Sequence, residues 1–150
     1  MTREVLIRIS GLQLMDSENE AETDDVEMIT TGDYFWKNGK HYIIYDEVMD
    51  GFDGNVRNTI KISPDTMDIR KQGVANAHMI FEQDKKNTTR YATPMGDMMV
   101  EVSTNRILVD EQEDSLKVSV EYSLGINYEH VSECNITMDV RSKGKAELRL

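Results

Sequence analysis

Leu116-Lys117-Val118-Ser119-Val120-Glu121-Tyr122-Ser123-Leu124 alternates apolar with polar residues without a break. A β-strand turns successive side chains to opposite faces, so this stretch has one oily face and one wet one. Leu116, Val118, Val120, Tyr122 and Leu124 share the oily face; Lys117, Ser119, Glu121 and Ser123 take the other. The segment predicts a half-buried strand.

The same period spreads outward in both directions. Asp110-Glu111-Gln112-Glu113-Asp114 reads as a charged hairpin loop, and before it Met98, Val100 and Val102 alternate, followed by Ile107 and Val109. A last strand is expected around Val131 to Val140, then a polar tail over residues 141–150. Pro94-Met95-Gly96 places proline early and glycine late, as a turn requires. Further back, Ala75, Ala77, Met79 and Phe81 share a face, as do Met67 and Ile69, and Val56, Asn58, Ile60 and Ile62. Ser63-Pro64-Asp65 ends a strand, because proline has no N–H to give a ladder. Asn38-Gly39 is a hairpin turn, since both residues tolerate positive φ. Its return strand, Lys40 to Tyr45, is apolar on both faces, which leaves its phase open. Val5, Ile7 and Ile9 alternate with Glu4, Arg8 and Ser10, with Leu6 as the exception, and Asp16 to Asp25 forms an acidic loop.

Short strands with turn signals at close intervals predict an all-β domain. Short connections favour an antiparallel meander, and a long meander removes its open edges by closing into a barrel of about 8–10 strands. Residues 1–140 form this single domain, with no repeat and no linker inside it.

Composition narrows the function. The chain has 150 residues, 28 acids against 17 bases and a net charge of −11. Nucleic-acid binding draws on lysine and arginine at phosphates, so no nucleic-acid partner is expected. No apolar run is long enough to span a bilayer, so no membrane partner is expected either. The opening Val5 to Ile9 is too short and too charged for a signal-peptide core, and the single cysteine, Cys134, suits a reducing compartment. The expected location is the cytoplasm.

Chemistry-bearing motifs are scarce. There is no Gly-x-Ser-x-Gly elbow and no glycine-rich phosphate loop, so no catalytic residue is predicted. His41, His78 and His130 fall on separate strands without metal-ligand spacing, so no metal or other cofactor is predicted. A haem would need a histidine inside the barrel, and His41 is the one candidate. Cys134 has no base nearby in sequence and Glu133 beside it, which makes it a structural strand cysteine.

Four blocks resemble the YwiB-like family of uncharacterised bacterial proteins. They are Thr31 to Tyr34 with Lys37 to Glu47; Ile69-Arg70 with Gly73 and Met79 to Phe81; Tyr91 to Gly96; and Val120 to Leu124. They occur in order across nearly the whole chain before Val140. Met95 departs from the family pattern, where an aromatic residue is more typical, and Ser132 to Asn135 matches it loosely. The resemblance implies a calycin-like barrel, the architecture of lipocalins and fatty-acid-binding proteins, which hold small apolar ligands. It implies no site residues.

The alternation itself nominates a ligand wall. Tyr34, Trp36, Met79, Phe81, Tyr91 and Tyr122 are expected to project inward, where aromatic and methionine side chains would fill the core or line a small-molecule site. Arg70 is a candidate for meeting an anionic head group at the barrel mouth, or else an outward arginine paired with an acid. The favoured function is non-catalytic binding of a small apolar or amphipathic molecule. The alternative is a protein-interaction module with a solid barrel and an acidic surface.

Overall fold

Each alternating segment becomes a strand, and the turn signals become its hairpins. The structure, a computed structural model, describes residues 1–11, 27–48, 51 and 53–143. The acidic loop from Asp16 to Asp25 and the polar tail from residue 144 onward lie outside the described residues.

Among those residues ten strands follow in chain order. They are β1 (Glu4–Ser10), β2 (Glu27–Lys37), β3 (Lys40–Val48), β4 (Asn55–Ser63), β5 (Thr66–Gly73), β6 (Ala77–Glu82), β7 (Lys86–Thr93), β8 (Gly96–Glu111), β9 (Ser115–Ile126) and β10 (Glu129–Ser142). Strands next in sequence pair antiparallel, and β1 also pairs with β10, giving the order β6-β5-β4-β3-β2-β1-β10-β9-β8-β7. Among the described residues, β6 and β7 are the one pair of successive strands without a ladder. That seam is pinned at one end by reciprocal bonds between Asn76 and Ala92, each 2.9 Å, while at the other the turn joining β6 to β7 is tied to β8 by Asp84 N–H to Thr104 O at 2.9 Å. The result is a nearly closed barrel with its edges turned toward each other, which protects them from foreign strands.

Turn chemistry sets the register. Asn38 and Gly39 have φ of 54° and 74°, the pair of positive values that a two-residue hairpin demands. The β9–β10 hairpin repeats this with Asn127 and Tyr128 at 50° and 70°. The sequence gives less warning there, because tyrosine rarely adopts that conformation. The Asn127 side chain helps to hold the turn by accepting a bond from Met99 N–H at 3.0 Å.

Two details differ from the sequence reading. Met98 to Val102 and Ile107 to Val109 belong to one long strand, β8, whose register shifts between Thr104 and Arg106. The extra residue reverses parity, so even positions face inward before it and odd ones after. The final strand also runs past Val140 to Ser142, which is buried and tied to the β8–β9 turn through Asp114.

The inward faces make one continuous core. Phe81, Tyr122, Met67, Met79, Ile60 and Met138 are among its largest side chains, each under 2% exposed. Phe81 on β6 meets Tyr122 on β9 edge to face, with ring centroids 4.9 Å apart at 69°. The phase of β3, open in the sequence, is fixed here: His41, Ile43 and Tyr45 face in, Tyr42 and Ile44 out.

Gly32 lets β2 approach its neighbours closely. A Cβ there would fall 2.5 Å from the Ile44 carbonyl oxygen and 2.8 Å from Ile7 Cδ1. Gly32→Ala is expected to destabilise the barrel by about 1–3 kcal/mol through overpacking. Urea unfolding measures this, and an unchanged midpoint would mean that β2 can shift without cost.

Candidate functional site

The barrel end that carries the Asn38–Gly39 hairpin holds a built arrangement of side chains. Register places Trp36 directly across from His41, so both lie on the inward face at the rim. His41 is 5% exposed, whereas Trp36 is 56% exposed and covers the imidazole edge to face at 4.8 Å. Tyr34, one inward step deeper on β2, places its hydroxyl 2.8 Å from His41 Nδ1. On the other ring nitrogen, Nε2 lies 2.9 Å from Glu111 Oε1 at the end of β8.

The chain of bonds fixes its own polarity. A carboxylate can only accept, so Nε2 carries a hydrogen toward Glu111. In the neutral ring that leaves Nδ1 to accept from the Tyr34 hydroxyl. Burial, and then the Glu111 charge, push the Tyr34 phenol above its ordinary value, so it stays a donor. The imidazole is thereby clamped from both sides.

Backbone contacts hold the surrounding loops. Tyr34 N–H donates to Arg3 O at 2.7 Å, which draws the N-terminal residues over the mouth. The turn bearing Glu111 and Glu113 closes through Gln112 N–H to Ser115 O at 2.8 Å and is braced by Ser142 N–H to Asp114 O at 3.0 Å. The cleft enclosed has a volume of about 630 Å3 and is lined by Tyr34, Trp36, His41, Glu111 and Glu113, together with Met1, Arg3, Phe35 and Gln112.

A second polar group sits near the other end of the barrel. Lys71 is 7% exposed and donates to Glu47 Oε1 and Asn58 Oδ1, each at 2.7 Å, while Asn58 Nδ2 donates to the same Glu47 oxygen at 2.8 Å. Burial alone would raise the Glu47 carboxyl. The Lys71 charge and the two donors outweigh it and hold Glu47 below the usual carboxylate range. Tyr91, nearby, is pushed up to about 12 by burial and then by the Glu47 charge. Among the described residues the Lys71, Glu47 and Asn58 side chains bond to one another, which makes the group a polar plug.

The residues singled out in the sequence fall into three groups. Tyr34 and Trp36 meet at the cleft. Met79, Phe81 and Tyr122 are packed into the core, and Tyr91 is buried at the far end beside the plug. Arg70 corrects the expectation of a place at the interior or mouth: it points outward from β5, exposed, between Thr59 and His78. Those neighbours are not the acids expected of a surface pair. The inward cation is its neighbour Lys71, because period two admits only one of the two. His78 faces outward and engages Asp68 at 2.7 Å. Cys134 faces inward on β10, half-buried, with Ser132 Oγ at 3.2 Å. Among the described residues, no three histidine, cysteine or acidic side chains are grouped to hold a metal ion.

Glu111 and Glu113 were not separable in the sequence from the rest of a charged turn. Glu47, Asn58 and Lys71 did leave a trace, since each falls at an inward position of its strand.

Comparison with known proteins follows the fold. The family model described as "Domain of unknown function (DUF1934)" matches residues 7–138. The chain is 26% identical over 124 residues to the uncharacterized β-barrel protein YwiB of Bacillus subtilis (strain 168), covering 81% of this chain and 86% of that protein. The crystal structure of the ywiB protein from Bacillus subtilis superposes with a TM-score of 0.75 at 21% identity, covering 95% of this chain and 94% of that one. The structural likeness establishes a shared barrel.

Proposed function

Since the chain belongs to the DUF1934 family, whose description names no activity, we propose from the geometry that the protein binds a small amphipathic ligand at the rim of its barrel, without acting on it chemically. The observation that carries this is the cleft of about 630 Å3 walled by Trp36 and a clamped His41. Its volume falls within the roughly 300–1,000 Å3 typical of small-molecule sites. A large, half-exposed indole costs hydration that a ligand face would relieve. The imidazole is pre-organised, so little ordering entropy remains to oppose binding.

The rim is favoured over the interior because the inward side chains fill the barrel. A lipocalin-like ligand inside would have to displace Phe81 and Tyr122 from their mutual contact. No reaction is proposed, since the Tyr34–His41–Glu111 chain spends both ring nitrogens internally. The same packed interior also supports a second reading, a solid barrel that meets a protein partner with its acidic surface.

Trp36 is the chain's sole tryptophan, so its emission reports the cleft directly. A fluorescence screen against a small-molecule library is expected to yield hits whose quenching weakens about tenfold or more in His41→Phe, which removes the clamp but keeps a flat ring. Hits that bind His41→Phe unchanged, or their complete absence, would refute the rim site.

A further inference from the structure

We infer that the molecule this rim selects is a small planar organic cation, an inference that rests on the binding reading above. Three features of the cleft point the same way. Trp36 presents an exposed indole, whose negative π-face attracts a cation more strongly than the other aromatic rings do. Glu111 and Glu113 line the same cleft, and the Glu111 side chain is 60% exposed despite its bond to His41. One Glu111 oxygen is given to the imidazole, and the other has no hydrogen-bond partner among the described residues.

Arg3 and the Met1 α-ammonium are the cations that line the cleft, and Arg3 has an acid of its own beside it. Its guanidinium lies 4.7 Å from the Phe35 ring centroid and 4.0 Å from Asp33 Oδ1. With Arg3 set against Asp33, the Met1 ammonium faces the two carboxylates Glu111 and Glu113, and the balance left for a ligand is negative by one. A chain with a net charge of −11 also draws cations in from solution and repels anions. A flat aromatic cation satisfies these features together, with its face on Trp36 and its charge toward the two carboxylates. A fatty acid or another anionic amphiphile would bring its charge against Glu111 and Glu113.

The test uses three probes of matched size and the intrinsic emission of Trp36. They are N-methylquinolinium, neutral 1-methylnaphthalene and 1-naphthoate, each titrated into the full-length protein at low ionic strength. The cation is expected to bind about tenfold more tightly than the neutral probe, and the anion most weakly. Raising the salt to physiological strength should weaken the cation and leave the neutral probe unmoved. In the double variant Glu111→Gln/Glu113→Gln the ratio of cation to neutral-probe affinity, measured within the variant, should fall from about tenfold to near one. Both side chains are exposed, so the fold should tolerate this variant. Equal or tighter binding of 1-methylnaphthalene or 1-naphthoate would overturn the cation inference and leave the binding site standing. Quenching by none of the three would overturn the inference and the site together.

Discussion

Phe81→Ala is expected to cost about 3–5 kcal/mol of stability, the range for truncating a fully buried aromatic ring. Phe81 is 0% exposed and reaches from β6 to Tyr122 on β9. Its removal would take away its transfer free energy and leave a void that walls of paired strands cannot close. The edge-to-face contact adds about 0.5–1.5 kcal/mol beyond the area buried. Phe81→Leu should cost much less, since it keeps most of the volume. Urea denaturation with an unchanged slope measures both variants. A cost under about 1 kcal/mol for the alanine variant would mean that the interior is loose or hollow, and the preference for the rim would lose its physical basis.

Breaking the plug at the far end should have an effect of similar size. Glu47→Gln removes the charge that answers Lys71, whose ammonium is buried with Asn58 as its other partner. Removing one partner of a buried pair typically costs about 3–5 kcal/mol; the Glu47 side chain is one-third exposed, so the lower end is expected. The double variant Lys71→Met/Glu47→Gln should recover most of that loss, because no unanswered charge then remains. The pair also imposes a pH dependence with a definite sign. The Glu47 carboxyl titrates lower in the folded protein than in the unfolded chain, so its contribution is present above the unfolded value of about 4.3. That contribution is lost as pH falls through the depressed folded value. Wild type should therefore show an acid-side loss of stability that Glu47→Gln lacks over the same window. Parallel acid unfolding curves for the two proteins would contradict the assignment.

Much of the barrel was legible because its strands are half-buried, and a half-buried strand writes its facing into alternate residues. Leu116 to Leu124 and Val56 to Ile62 place every side chain on the face that the alternation assigns. The method fails where parity breaks. The shift between Thr104 and Arg106 moves the inward set by one residue, and no composition signal marks it. The shift between His130 and Ser132 does the same where the family pattern matched loosely.

The rim site was half legible. Tyr34 and Trp36 announced themselves as large side chains on an inward face. They reach Glu111 only through His41, whose bond to it joins residues 70 apart, a pairing that one sequence does not encode locally. Arg70 alternates with Met67 and Ile69, and it takes the outward place that this alternation assigns rather than the barrel mouth. It stood out through its resemblance to a family position, while Lys71, two residues after Ile69, held the inward place. Asn58, between Val56 and Ile60, was the clearest sign that the interior carries polar groups.

Where a ligand sits is decided by amide chemical-shift mapping of the 15N-labelled protein. The protein would be titrated in turn with N-methylquinolinium, 1-methylnaphthalene and 1-naphthoate. The expected result is perturbation confined to the rim, at the Trp36 indole N–H and the amides of Phe35, His41 and Gln112, strongest with the cation. Perturbation centred on Met79, Phe81, Val120 and Tyr122, or none with any probe, would contradict a ligand site at the barrel rim.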